Sequence, residues 1–314
     1  MSSISIEPYD PSCETAWNAF NHQALNGHFL FDRSFMGYHG DRFSDASLVV
    51  LQQGEIRALF PANVSNGLLH SHQGLTFGGL VHGDDVGPAE ALEIFTSIGR
   101  RAKTMDVEAI RYKAMPAIYH RAPAQSDLYA LFRNGAVCHR RDTSSTIDYR
   151  APGPRSRRRG RSLRKSLSGG LDLVWDDAGW TEYWQVLTET LARRHGRAPV
   201  HTEGEIRLLA ARFPDNIKLL TAQKSGSVVG GVVVFETPYV AHAQYIAASP
   251  FGQELSALDA IFDHLINSYA ETKRYFDFGI STEEEGQRLN VGLSGYKQEW
   301  GAGCVVQDTY QWIV

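Results

Sequence analysis

The chain has 314 residues, 43% apolar and 21% charged, with 31 basic and 35 acidic side chains and a formal net charge of −4. That length exceeds one ordinary core and fits two domains of about 150 residues each, and the composition is that of a folded globular chain, not a disordered one. The acidic balance excludes a whole-molecule field that attracts nucleic acid, and no apolar run approaches the ~20 residues that cross a bilayer.

The opening residues, MSSISIEPYDPSCETAW, lack the basic-then-apolar pattern of a secretory signal. A strand is expected over Ser3–Glu7, followed by a helix from about Ser12 with Asp10 and Ser12 as caps. The segment HFLFDRSFMGYHGDRFSD has no clean period. It reads either as an aromatic-pinned loop or as a recognition loop in which Asp32, Arg33, His39 and Arg42 meet a phosphate, sugar or base. Two β-rich runs, 47–51 and 56–63, flank a turn at 52–55, and a strand at 68–72 puts His70 and His72 on one face. A helix over 88–105 and a strand over 107–114 complete the unit, and Lys113 joins the candidate binding surface. A short helix at 127–133 and a strand at 143–149 precede the basic run RSRRRGRSLRK, which reads as a solvated linker, a helix start, a phosphate contact or an RNA contact, the last disfavoured because no aromatics are interleaved.

The second half opens with a strand at 171–175 and a helix at 179–195. Thr202 with Glu205 three residues on is a capping box for a further helix. Runs 218–223 and 228–235 form a hairpin, and 240–248 is a third strand, with His242, Gln244 and Ile246 expected on one face and Tyr245 on the other. The stripe Leu255, Leu258, Ile261, Phe262, Leu265, Ile266 predicts a helix over 255–270, and Tyr275–Ile280 is an almost wholly apolar strand. Residues 281–303 read as a long polar, Gly-rich connection, and 305–314 as a closing strand. The order hairpin, strand, loop, helix, strand therefore occurs twice, about 170 residues apart. Division into 1–150 and 151–314 is expected.

No nucleophile elbow, Walker loop or dinucleotide fingerprint is present, which removes covalent hydrolase, P-loop kinase and dinucleotide oxidoreductase chemistry. Cys13, Cys138 and Cys304 are few and far apart, which points to reduced thiols in a cytoplasmic protein. No third ligand accompanies His70 and His72, so no metal is expected. A loop between a strand and a helix is an anion cradle, and Ala247–Glu254 is such a loop.

The tandem unit resembles the GNAT (Gcn5-related N-acyltransferase) fold, and two copies about a basic hinge resemble the Fem-like group. The segments that carry the resemblance are FLFDRSFMGYHGDRFSD, SHQGLTFGGL, PVHTEGEI, VAHAQYIAAS, YFDFGIST and LNVGLSGYKQEWGA. It implies an α/β (α+β) fold of two GNAT-like domains, each a mixed twisted sheet flanked by helices. It further implies an N-acyltransferase of bacterial surface-polysaccharide pathways, which moves an acyl group from acyl-CoA to the amine of a nucleotide-linked amino sugar. The first domain would recognise the acceptor and the second the donor, along Gln244, Tyr245, Ile246, Ala247, Ala248, Ser249, Gly252 and Leu255. Ordinary single-domain relatives carry Gln/Arg-x-x-Gly-x-Gly/Ala at this point, whereas this chain has Ala248-Ser-Pro-Phe-Gly-Gln-Glu-Leu255. His201 or His72 is expected as base, with Asp277 and Glu283 as orienting groups or alternatives. Lys297 matches the lysine of the Fem-like C-terminal motif, and Asn290 joins the substrate contacts. Aminoacyl-tRNA as donor, or a non-catalytic nucleotide-sugar-binding pair, are the alternatives. A homo-oligomer is compatible with the sequence.

Overall fold

The computed structural model describes residues 4–40, 42–175 and 178–314; Asp41 and the side chain of His39, a candidate acceptor contact, lie outside the described part. Contacts divide the chain into two compact units, one comprising residues up to Asp142 with Glu284–Arg288 and Val306–Val314, the other Thr143–Glu283 with Leu289–Val305.

In the first unit, strands β1 (Ile4–Pro8), β2 (Leu48–Gln52) and β3 (Glu55–Phe60) pair antiparallel, and β3 continues to a short strand at Val81–His82. Helix α1 (Pro88–Lys103) buries Ala91, Ile94, Phe95, Ile98 and Ala102, the face that its 3.6-residue period dictates. The strand at Ala109–Lys113 pairs parallel with Leu68–His70 and antiparallel with the chain's last strand. The strand expected to run to His72 stops at His70. His72 takes a left-handed conformation, φ 66°, so the two histidines do not share a strand face.

The second unit holds the longer hairpin. Helix α2 (Arg157–Ser168) is built from the basic run; strand β4 (Asp172–Trp175) and helices α3 (Trp180–His195) and α4 (Glu203–Arg212) follow, the last with both arms of its capping box formed. Strands β5 (Ile217–Lys224), β6 (Ser227–Glu236) and β7 (Val240–Ala248) are antiparallel neighbours. The expected helix over 255–270 is present over Ala257–Tyr269 and starts two residues late. A short turn of helix, α5 (Pro250–Glu254), ends at Leu255, Ser256 turns left-handed at φ 56°, and α6 (Ala257–Tyr269) begins beyond it. Helix α6 buries Ile261, Phe262, Leu265 and Ile266 against the sheet, each worth roughly 1.5–3 kcal/mol relative to exposure. Strand β8 (Tyr275–Ile280) returns parallel to β7, and residues 144–148 flank it antiparallel on the other side.

Two further details differ from the sequence reading. Within the polar connection, Val291–Gln298 forms helix α7, because the Asn290 side chain accepts from Leu293 N and caps it in spite of Gly292 and Gly295. The alternation expected along β7 is also interrupted. Val233 pairs with Tyr245 but Val234 with Ala243, so Gln244 is an extra residue, a β-bulge. Ile246 therefore joins Ala243 in the core beneath α6, and Tyr245 faces the same side as His242.

Candidate active site

Strands β7 and β8 pair through only three rungs, Val240–Tyr275, Ala241–Phe276 and His242–Asp277. Beyond the third rung the register ends, although β7 runs on to Ala248 and β8 to Ile280. The two parallel strands thus part into a V whose β7 arm, among the described residues, has no strand partner along that edge, leaving main-chain donors and acceptors for a ligand.

The last rung carries charge. His242 Nδ1 lies 2.9 Å from Asp277 Oδ2. Asp277 Oδ1 accepts from Ser144 Oγ at 2.5 Å, Thr146 Oγ1 at 3.0 Å and Gly279 N at 3.2 Å. Four donors thus converge on the two oxygens of a buried carboxylate, the complement of its ionised form. A carboxylate at Nδ1 selects the tautomer in which Nδ1 carries the proton and Nε2 the lone pair. His242 is half-buried, and its ring passes Gly279, where an added Cβ would lie 3.4 Å from Cε1.

Lys297 closes the far side of the same strand. Its ammonium donates to the Gly279 and Ile280 carbonyls at 2.8 and 2.7 Å. Burial pushes its pKa down to about 8, against the opposing pull of the Asp277 charge. Glu283 Oε1 accepts from Asn290 Nδ2 at 2.8 Å, a pair formed just after β8 ends.

His201, at the entry to α4, is buried with Nδ1 2.5 Å from the Tyr245 hydroxyl. Burial raises the pKa of that phenol, so it stays neutral and its hydroxyl occupies the Nδ1 side of the His201 ring. The rings meet edge to face, with Trp184 on Tyr245 in the same way.

The remaining expected donor contacts lie along β7 and the turn after it. Ala247 and Ala248 are buried, and Ile246 is packed on the core. Ser249 Oγ caps α5 through Gly252 N at 3.1 Å and donates to Val229 O at 3.1 Å. Ser249 N is bonded to Val229 O and Gln253 N to Ser249 O. Gly252 is required by the approach of α5 to β6, since a Cβ there would collide with the Val229 carbonyl. The amides of Ser249, Gly252 and Gln253 in this turn are therefore already bonded, whereas at the start of α6 Ser256 provides no side-chain cap. Helix α2 runs beside α6. Arg159 is ion-paired with Asp259 in the first turn of α6, and a Cβ on Gly169, just past α2, would lie 3.5 Å from Leu255 Cδ2.

In the first unit, the Tyr112 hydroxyl accepts from Leu80 N at 2.8 Å and donates to Asp127 Oδ2 at 2.5 Å. Arg33 is paired with Asp45, donates to Ser47 Oγ at 3.2 Å and lies 3.6 Å over the Tyr9 ring. Asp32 caps a helical turn through Ser34 N, at 2.8 Å, and Arg42 faces the Tyr38 ring at 5.9 Å. Lys113 donates to the carbonyls of Gln73 and Leu75 at 3.1 and 2.8 Å, and burial pushes its pKa down to about 8. Burial lowers His70 and takes His72 down to about 4.

Of the expected site residues, the structure brings Asp277 and Lys297 together around Gly279, joins Glu283 to Asn290, and joins His201 to Tyr245. His242, Ser144 and Thr146 were not expected at the site. The legible signal was a histidine on a mostly apolar strand, VAHAQYIAA, followed by a second, aromatic-rich strand, YFDFGI, carrying one aspartate. Among the described residues no cluster of histidine, cysteine and carboxylate groups is suited to a metal, and no helix is long and apolar enough to cross a membrane.

Residues 154–298 match the family model described as the acetyltransferase (GNAT) domain. No curated protein sequence matches the chain. Among solved structures, FemX is similar at 11% identity and TM-score 0.70 over 99% of this chain and 97% of that one. The C-terminal domain of a putative lysylphosphatidylglycerol synthetase from Agrobacterium fabrum is similar at 12% identity and TM-score 0.65, over 95% and 92%. A tandem GNAT protein from the clavulanic acid biosynthesis pathway is similar at 10% identity and TM-score 0.54, over 98% of each chain. The fold is the mixed α/β fold of GNAT proteins, and the chain, with an acetyltransferase domain over residues 154–298, is an acyltransferase.

Proposed function

We propose that this acyltransferase moves an acyl group from acyl-CoA to the amine of a nucleotide-linked amino sugar, by direct attack in the V between β7 and β8. The observation that carries the reading is the His242–Asp277 pair at the rung where the strands part. An ammonium must lose a proton before it attacks a thioester, and an imidazole held through Nδ1 by a carboxylate presents Nε2 to receive it. The amine nitrogen then bonds the acyl carbon, the C–S bond breaks, and the second proton that nitrogen loses goes to the departing thiolate, which leaves as free CoA thiol. Free main-chain N–H groups on the β7 arm are suited to the developing oxyanion. Holding both substrates in the V supplies the rest through proximity.

The V fits the extended, amide-bearing arm of CoA. The turn Ser249–Gln253 is a poorer cradle for its pyrophosphate, because the amides of Ser249, Gly252 and Gln253 are bonded within the protein. The start of α6 and the exposed Arg161, Arg164 and Lys165 of α2 are the groups that would meet phosphate. Those two features also favour a second reading, an aminoacyl group carried on tRNA. Binding of tRNA that weakens steeply as salt rises would support it over the first.

The test is release of free CoA thiol from acetyl-CoA and 3-hydroxybutyryl-CoA, with and without a panel of dTDP- and UDP-linked amino sugars. Release that depends on one amino sugar, and that falls by about 10²–10⁴ in His242→Gln, supports the reading. Full turnover in a folded His242→Gln protein removes His242 as base. Neither release nor a thermal shift with CoA removes the CoA reading.

A further inference from the structure

Two buried polar atoms beyond the last rung are without hydrogen-bond partners among the described residues: Ser281 Oγ and Gln244 Oε1. Ser281 is 2% exposed. Its main chain is fixed on both sides, N to Thr143 O at 2.8 Å and O from Asn290 N at 2.9 Å, so the residue does not easily shift to find a partner. Gln244 is the bulge residue of β7. Because β7 and β8 run parallel, the residues that follow the His242–Asp277 rung on each strand enter the same opening. Gln244 follows by two residues and Ser281 by four, so the two residues come after the dyad on the two diverging strands; the Gln244 amide also hydrogen-bonds the Tyr245 hydroxyl, which leaves Oε1 as its unpartnered atom.

A buried hydroxyl or amide oxygen without a partner costs free energy in the resting protein. Gln244 Oε1 only accepts hydrogen bonds, and Ser281 Oγ both donates and accepts. We propose that Gln244 and Ser281 form the acceptor subsite of this enzyme, the glutamine oxygen taking an N–H of the incoming amine and the serine hydroxyl pairing with a hydroxyl on a neighbouring carbon. The acceptor class is thus a vicinal amino alcohol, as in an amino sugar, and not a simple alkylamine. Gln244, expected from the sequence to touch the donor, belongs on this assignment to the acceptor. The inference rests on the reading that acyl transfer takes place in the V.

The test uses binding and stability, so that it is independent of turnover. Calorimetry compares D-glucosamine, an amine with adjacent hydroxyls, with cyclohexylamine, which lacks them, on the wild-type protein and on Ser281→Ala and Gln244→Met. The expected result is a preference for glucosamine of about tenfold or more in the wild type, lost in Ser281→Ala, and weaker binding of both amines to Gln244→Met. Ser281→Ala should melt at or above the wild-type temperature, since it removes an unpaired buried hydroxyl. An equal response to the two amines in the wild type, including none to either, overturns the proposal. So does a preference retained in Ser281→Ala, unchanged amine binding in Gln244→Met, or a clear fall in the Ser281→Ala melting temperature, which would make the hydroxyl structural. A preserved glucosamine preference without thiol release would instead count against the reaction and leave the subsite standing.

Discussion

His242 and Tyr245 face the same side of β7 although they are three positions apart, because the bulge at Gln244 inserts one residue between the Val233–Tyr245 and Val234–Ala243 pairs. Without that residue the alternation of a strand would place them on opposite faces. The bulge thus aligns the His242–Asp277 and His201–Tyr245 pairs along one face, with different tasks. The first leaves a ring nitrogen for a substrate, whereas in the second the phenol occupies Nδ1.

His201→Gln is therefore expected to lower the melting temperature more clearly than the turnover, with kcat within about tenfold of wild type. Thermal melts and steady-state rates on one preparation decide it. A loss of about 10²-fold or more in kcat at unchanged stability would return the base to His201.

Asp277→Asn keeps the shape of the side chain but places an amide where the Ser144 and Thr146 hydroxyls and the Gly279 N–H all donate. It also removes the carboxylate that selects the His242 tautomer. A fall in kcat of about 10²–10⁴ is expected, together with some loss of stability from mismatched donors. Near-normal kcat in this variant would contradict the dyad.

Gly279 has φ 78°, a conformation that costs a residue with a Cβ about 1–2 kcal/mol. Gly279→Ala should lower stability by roughly that amount. It should also reduce kcat, because relaxing this backbone moves the N–H from Asp277 and the carbonyl from Lys297. Urea melts and rates check the two effects; unchanged kcat would show that the turn is not part of the site.

Lys297 and Lys113 each have a folded pKa lowered to about 8 by burial. Between about pH 8 and the ordinary lysine range near 10.4, the unfolded chain binds more protons than the folded one, so these groups make stability rise with pH. The buried tyrosines, whose pKa values are raised, reverse the slope above about pH 10. Lys297→Met should flatten the rise without abolishing it, because Lys113 remains. Urea midpoints at intervals from about pH 7.5 to 9.5 test this, and an identical slope in the variant would rule out Lys297 as a source.

The arrangement of elements was largely legible in the chain. Period-two runs and their turn residues marked the hairpins, the period of 3.6 marked the helices over 88–105 and 179–195, and Thr202 with Glu205 marked the start of α4. These signals are local, so a short window contains them. Lys297 and Asp277 could also be singled out, through the resemblance and as a lone carboxylate on an apolar strand. Their partners could not. The bulge at Gln244 is a property of the pairing between β6 and β7, and a one-residue shift in register reverses which side chains meet. The rung that joins His242 to Asp277 exists because α6 returns the chain parallel to β7 across 35 residues. Ser144, more than a hundred residues upstream, reaches the same carboxylate only after a third strand is laid beside β8. Residue type and spacing determined which segments become strands and helices. Strand register, set by the packing of the whole sheet, decided which polar groups share the opening.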